Sequence, residues 1–195
     1  MPKVHKVPRG GDAYSMQSEA LYYVVMTLAT HGIVGAAAIA LVPTNPVLGF
    51  ALAFASHLAI DSLPHRDYEL LSKVEGERKL DMDMKLGRLF VYDLLRTGTD
   101  AFIGLVIALA IFSVWLFHVP FYIVVLGVVG GVLPDFLQLV FFKTRSRLLL
   151  PLQRFHSWLQ VGKDQPQWPL WLGLFLQAIL ITILISIEKF FGLVG

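Results

Sequence analysis

An all-α, polytopic integral membrane bundle of about five segments is the fold class this sequence predicts, and three observations carry it. Hydrophobic residues make up 56% of the chain and charged residues only 15%, where a soluble domain carries about 25% charged residues. Mean hydropathy is correspondingly high, at +0.67. The apolar residues fall into runs near the ~20 residues that a lipid-crossing helix needs. Lysine and arginine fall in alternate connections between those runs. So much apolar surface cannot be hidden in one small core.

Residues 1–19 read as a basic, polar tail. They lack the apolar run and small-residue cleavage site of a signal peptide, so the tail is expected to be retained. One membrane-embedded helical domain is expected over 20–195. Its first span runs from about Ala20 to Val42 and the second, after the turn "PTNP", from about Pro46 to Leu63. A charged loop fills about 64–88. The third helix covers roughly Leu89 to Phe117. The turn "HVP" leads to a fourth over about Phe121 to Val132, interrupted at "LPD" and resuming to Phe142. A second basic loop occupies about 143–168, and the last span is about Pro169 to Phe191.

Charge sets the expected orientation. The tail carries Lys3, Lys6 and Arg9. The middle loop carries Arg66, Lys73, Arg78, Lys79, Lys85 and Arg88, and the later loop Lys143, Arg145, Arg147, Arg154 and Lys163. The two short turns carry none. The positive-inside bias puts the N-terminus and both loops in the cytoplasm. Trp115, Phe117, Phe121 and Tyr122 then suit the outer interface, and Trp158, Trp168 and Trp171 the inner one. A net charge of +2 leaves no nucleic-acid footprint. With no cysteine, disulfides, thiolate metal sites and cysteine nucleophiles are excluded.

The hairpins align the polar residues of the spans. His31 and His57 both lie thirteen residues from Thr44, so they share a depth. Asp61 follows His57 by one helical turn on the same face. Asp100 and Asp135 flank the "HVP" turn symmetrically, each about 17 residues away, as Asp61 is from Thr44. At 1.5 Å per residue this layer lies roughly 26 Å from the outer side. His65 lies just past it, and His156 comes from a segment able to fold back onto the same mouth. A charge at a helix centre costs ~2.5–3.5 kcal/mol on insertion scales, so such residues face the bundle interior. Small residues favour close packing around them: Gly32, Ala36 and Ala40 recur every four positions, as do Gly127 and Gly131.

Two side chains at i and i+4, His57 and Asp61, present two ligands to one metal. Pro64 ends the helix and lets His65 return over it. Three nitrogen or oxygen ligands with an open fourth position describe a catalytic zinc site. With His31, Asp100, Asp135 and His156 there are seven candidate ligands, enough for one or two divalent ions. Zinc is the expected ion, with manganese and iron as alternatives. Such an ion lowers the pKa of water to about 7 and polarises a phosphoryl oxygen. Asp100 and Asp135 are the candidate catalytic carboxylates, able to ligate, bridge or take the water's proton. Plainer readings compete. Asp61 can pair with Arg66, Asp93 with Arg96, and His31 can be a satisfied intramembrane histidine. Asp135 can cap a helix broken at Pro134. His5 and His118 read as incidental, and the acidic residues from Asp67 to Asp83 as a solvated loop.

The stretches "THGIVGAAAIALVPTNPVLGFALAFASHLAIDSLPHRD", "TDAFIGLVIAL", "GGVLPDFLQ" and "LQRFHSWLQ" resemble the predicted inner-membrane metal-dependent hydrolases, small polytopic proteins of bacteria and archaea. The resemblance runs from about His31 to His156. It is sharpest at His-x-x-x-Asp-x-x-Pro-His, residues 57–65, which is similar to the ligand run of zinc-dependent phospholipase C. It implies His31, His57, Asp61, His65, Asp100, Asp135 and His156 as the polar set, and the prokaryotic inner membrane as the location. The chain departs from the family in carrying Gln160 where a second histidine often follows. Its Asp61–His65 spacing is also shorter than in the phospholipase run.

The expected function is metal-dependent hydrolysis of a phosphoester, in a lipid or another membrane-associated substrate, at the cytoplasmic interface. Membrane lipid is the expected partner. "RLLLPLQRFHSWLQ" suits an interfacial helix, with Leu148, Leu149, Leu152, Phe155 and Trp158 toward lipid and Arg147 and Arg154 toward phosphates. Two rivals stand beside it. One is an ion or proton transporter that uses the intramembrane His/Asp cluster. The other is a non-catalytic scaffold with a structural metal site.

Overall fold

A computed structural model describes residues 27–62 and 70–159, and beyond them 175, 179, 181–183, 185, 186 and 190. The tail over 1–19, the start of the expected first span, His65 and Arg66 lie outside the described residues. The described chain is mostly helical.

Helix α1 (Leu28–Ala40) starts where the Thr27 hydroxyl accepts the Thr30 N–H at 3.2 Å, an N-cap that satisfies one orphan donor. Helix α2 (Pro46–Asp61) starts the same way, with Asn45 Oδ1 accepting the Leu48 N–H at 3.1 Å and Pro46 at the first helical position. It ends at Asp61, two residues short of the expected end at Leu63. The following loop is not wholly irregular. Strand β1 (Lys73–Val74) pairs antiparallel with β2 (Asp83–Met84), and a 3-10 turn covers Lys79–Asp81. Helix α3 (Arg88–Ala108) continues as a π-helical segment, Leu109–Trp115. The chain reverses through His118, whose φ of 53° is left-handed. Helix α4 (Phe121–Thr144) and helix α5 (Leu150–Leu159) follow.

The expected break in the fourth helix does not occur. Helix α4 runs unbroken through Pro134. Proline removes one helical hydrogen bond, but helices packed around such a site can satisfy the freed groups. Pro134 is buried among neighbours, so α4 keeps its course, and Asp135 sits within the helix and is not a cap.

Two described helical stretches are long and apolar enough to cross a membrane. Arg88–Trp115 has 28 residues and mean hydropathy 1.9, and Phe121–Thr144 has 24 residues and mean hydropathy 2.1. Helices α1 and α2, at 13 and 16 residues, fall short of the ~20 needed. The five spans read from the sequence therefore reduce to two that meet the length requirement among the described residues.

Helix α1 is the hub, packed against α2, α3 and α4. Its crossing with α4 is backbone to backbone. A Cβ on Gly35 would lie 2.3 Å from Gly127 O, and one on Gly131 2.3 Å from His31 O. Glycine is required at both positions. Gly127 and Gly131 were legible as a small-residue pair. Gly35, offset from the row Gly32–Ala36–Ala40, is the α1 glycine that meets them. The apolar core gathers Ile33, Ile39, Phe112, Ile123 and Val124, with Ile181 and Ile185 of the expected last span packed against it.

Large apolar side chains are exposed, while a polar cluster is buried beside the apolar core. Leu95, Phe102 and Val106 of α3 are exposed, while His57, Asp61 and His156 are buried.

Three charged groups tie the 70–86 loop to the helices. Asp93 lies within the electrostatic reach of Arg96 and also binds the loop. Its carboxylate accepts the Leu71 N–H, the Ser72 N–H at 2.8 Å and the Ser72 hydroxyl at 2.7 Å. Lys143 pairs with Asp83 at 2.7 Å and holds that carboxyl below the usual carboxylate range. Arg145 donates to the carbonyls of Leu80 at 2.6 Å and Met82 at 2.7 Å. Two residues that read as orientation charge are therefore loop clamps as well.

Candidate metal centre

The centre is built from residues on four helices. Asp61, at the last turn of α2, is its hub. Asp61 Oδ2 lies 3.2 Å from His57 Nε2, one turn earlier on the same helix, and 2.5 Å from His156 Nε2 on α5. Its other oxygen, Oδ1, lies 3.5 Å from His31 Nε2 on α1. From α4, Asp135 Oδ1 stands 3.4 Å from His57 Nε2 and 3.9 Å from His156 Nε2. One donor atom each from His57, Asp61, Asp135 and His156 falls within 4.8 Å of all the others, spacing suited to a metal ion.

The hydrogen bonding of His57 fixes its role. Its Nδ1 lies 2.7 Å from Gly131 O. A carbonyl only accepts, so Nδ1 carries the proton and donates. Its Nε2 is turned toward the carboxylates of Asp61 and Asp135, 3.2 Å and 3.4 Å away. Metal-ligating histidines commonly donate the second ring N–H to a backbone carbonyl, which sets tautomer and orientation. The glycines place that carbonyl: Gly131 has no side chain to hold α4 away from α1, and it sits one turn before Asp135.

His31 is part of the cluster but stands behind the metal-spaced group. Its ring stacks on His57 with centroids 4.1 Å apart and lies against Asp61. The equal depth inferred for His31 and His57 matches this stack. His156 meets the His57 ring edge-on at 5.3 Å, so α5 does fold back onto the mouth.

Asp100 is not one of the four convergent donors. Its Oδ2 accepts the Ala29 N–H at 2.9 Å, in the first turn of α1. With Thr27 it anchors the end of the helix that carries His31. Asp100→Ala is therefore expected to cost about 0.5–2 kcal/mol, as for loss of a helix cap, while leaving metal content unchanged. Thermal melting beside metal analysis checks this; lost metal with an unchanged melting point would return Asp100 to the ligand set. His118, at the opposite turn, is far along the chain from the cluster and exposed.

Gln153 escaped the sequence reading. It lies one turn before His156 on α5, fully buried. Its spacing from His156 is the signal that was available. Exposure separates the two carboxylates: Asp61 is 2% exposed and Asp135 34%. The cluster therefore opens on its Asp135 side. No family model, curated protein or solved structure matches the chain, so the chemistry of the centre rests on its own geometry.

Proposed function

We propose that the chain is a membrane-embedded, metal-dependent hydrolase of phosphoesters in a lipid or another membrane-associated substrate. The observation that carries this reading is the convergence of His57, Asp61, Asp135 and His156, whose donor atoms all lie within 4.8 Å of one another. Acceptor atoms brought together this way need protons or a cation among them, and two carboxylates match a divalent charge. Imidazole and carboxylate donors suit zinc, with manganese or iron as alternatives. His57, Asp61 and His156 would hold the ion and Asp135 would line the open side, where it can ligate or take a proton from water. When bound, such an ion activates water at neutral pH and withdraws charge from a phosphoryl oxygen.

The two long apolar helices and the exposed apolar side chains of α3 support a membrane setting. The bias of Lys and Arg supports a cytoplasmic mouth. The outward side of α5 and the residues just before it support an interfacial substrate: Phe155 and Trp158 stack at 5.9 Å and are exposed, as are Arg154 on the helix and Arg147 and Leu148 ahead of it. Apolar and basic side chains in that mixture suit anionic headgroups. The resemblance to predicted inner-membrane metal-dependent hydrolases points the same way.

Purified protein in liposomes, offered a panel of lipid phosphates, tests the reading. Hydrolysis is expected to fall to background after chelation and to return with added zinc or manganese. Chelator-insensitive turnover, or none on any member of the panel, would contradict it.

A further inference from the structure

Two residues on the buried face of α5 carry polar atoms without partners. The His156 Nε2 atom engages Asp61, but its Nδ1 has no hydrogen-bond partner among the described residues. Gln153, three residues earlier, is 0% exposed, and among the described residues neither its amide oxygen nor its amide nitrogen has a partner. Residues three apart on a helix are neighbours, with Cβ atoms about 5–6 Å apart. Buried polar groups are nearly always satisfied, and each exception calls for an explanation. Here the exceptions sit side by side, next to the donor cluster.

We propose that Gln153 is a positioning residue for His156: its amide oxygen accepts the Nδ1 proton of His156 when a cation occupies the centre. This rests on the metal reading above. With the cation absent, His156 Nε2 faces the Asp61 carboxylate, which only accepts, so the proton sits on Nε2, and the Gln153 amide has no partner among the described residues. A cation requires the Nε2 lone pair, which places the proton on Nδ1 and gives Gln153 a donor to accept. The two α5 orphans then satisfy each other. His57 already has the equivalent partner in Gly131 O, so each imidazole of the centre gains a fixed tautomer from a different source. Gln153 makes no contact with the ion and acts only through His156.

Titration of zinc into the chelator-stripped full chain in detergent, followed calorimetrically, tests the assignment. Gln153→Met, close in volume but without an acceptor, is expected to weaken zinc binding about 10–100-fold, the usual effect of losing such a partner. Gln153→Glu, which keeps an acceptor, is expected to restore affinity to the wild-type level or better. Because the amide has no partner without the ion, the metal-free Met variant is expected to melt at or above the wild-type temperature. Wild-type zinc affinity in Gln153→Met overturns the assignment, as does failure of Gln153→Glu to restore it. A lower melting point of metal-free Gln153→Met also overturns it, in favour of a purely structural role. Absence of zinc binding in the wild type overturns the metal reading itself, an outcome distinct from the other three.

Discussion

Asp61→Asn is expected to abolish stoichiometric metal binding. Asp61 approaches three histidines from three helices, His31, His57 and His156, and is itself buried. An amide keeps the shape but loses the charge and half of the acceptor capacity. Loss of an outer partner of a metal ligand already costs 10–100-fold in affinity, so loss of the central ligand is expected to cost at least ~100-fold. The metal-free fold should weaken too. Removing one member of a buried charged cluster costs on the order of 3–5 kcal/mol. Mass-spectrometric metal content and melting temperature, measured on the same preparation, check both parts. Retention of full metal content by a folded Asp61→Asn protein would remove Asp61 from the centre.

Asp135→Asn is expected to separate holding from hydrolysing. Asp135 stands 3.4 Å and 3.9 Å from the two Nε2 atoms and is the accessible member of the group. It lies farther from His156 than Asp61 does, on the more exposed side of the group. A carboxylate there can take the proton of the attacking water, a contribution of typically 10²–10⁴-fold. Turnover of a lipid phosphate in liposomes is therefore expected to fall by roughly that factor, with metal content reduced less than in Asp61→Asn. Equal loss of metal in both variants would make Asp135 chiefly a ligand. Unchanged turnover would leave the water without a base in this centre.

Much of the site was legible because hairpin geometry is a counting problem. Equal distances from Thr44 place His31 beside His57, and the i, i+4 spacing places Asp61 beneath them. The symmetry about "HVP" brings Asp135 to the same layer. The same counting places Asp100 there, yet depth along a helix says nothing about rotation around it. Asp100 faces the first turn of α1, where a free N–H takes its carboxylate. Continuity of α4 through Pro134 was not legible, because the penalty of a proline depends on what surrounds it. Nor was the role of the 70–86 loop, which Asp93, Lys143 and Arg145 secure through backbone groups that leave no pattern in the sequence. Gln153 was hidden for a related reason. A glutamine in an amphipathic segment reads as surface until burial is known.

The most direct test is the metal content of the wild-type chain, purified in detergent at neutral pH and exchanged into metal-free buffer. The proposed centre predicts a stoichiometric ion of zinc, manganese or iron that a chelator removes and that rebinds saturably. A chain that retains no ion and takes up none on titration would contradict it, leaving the cluster as a protonated hydrogen-bonded core.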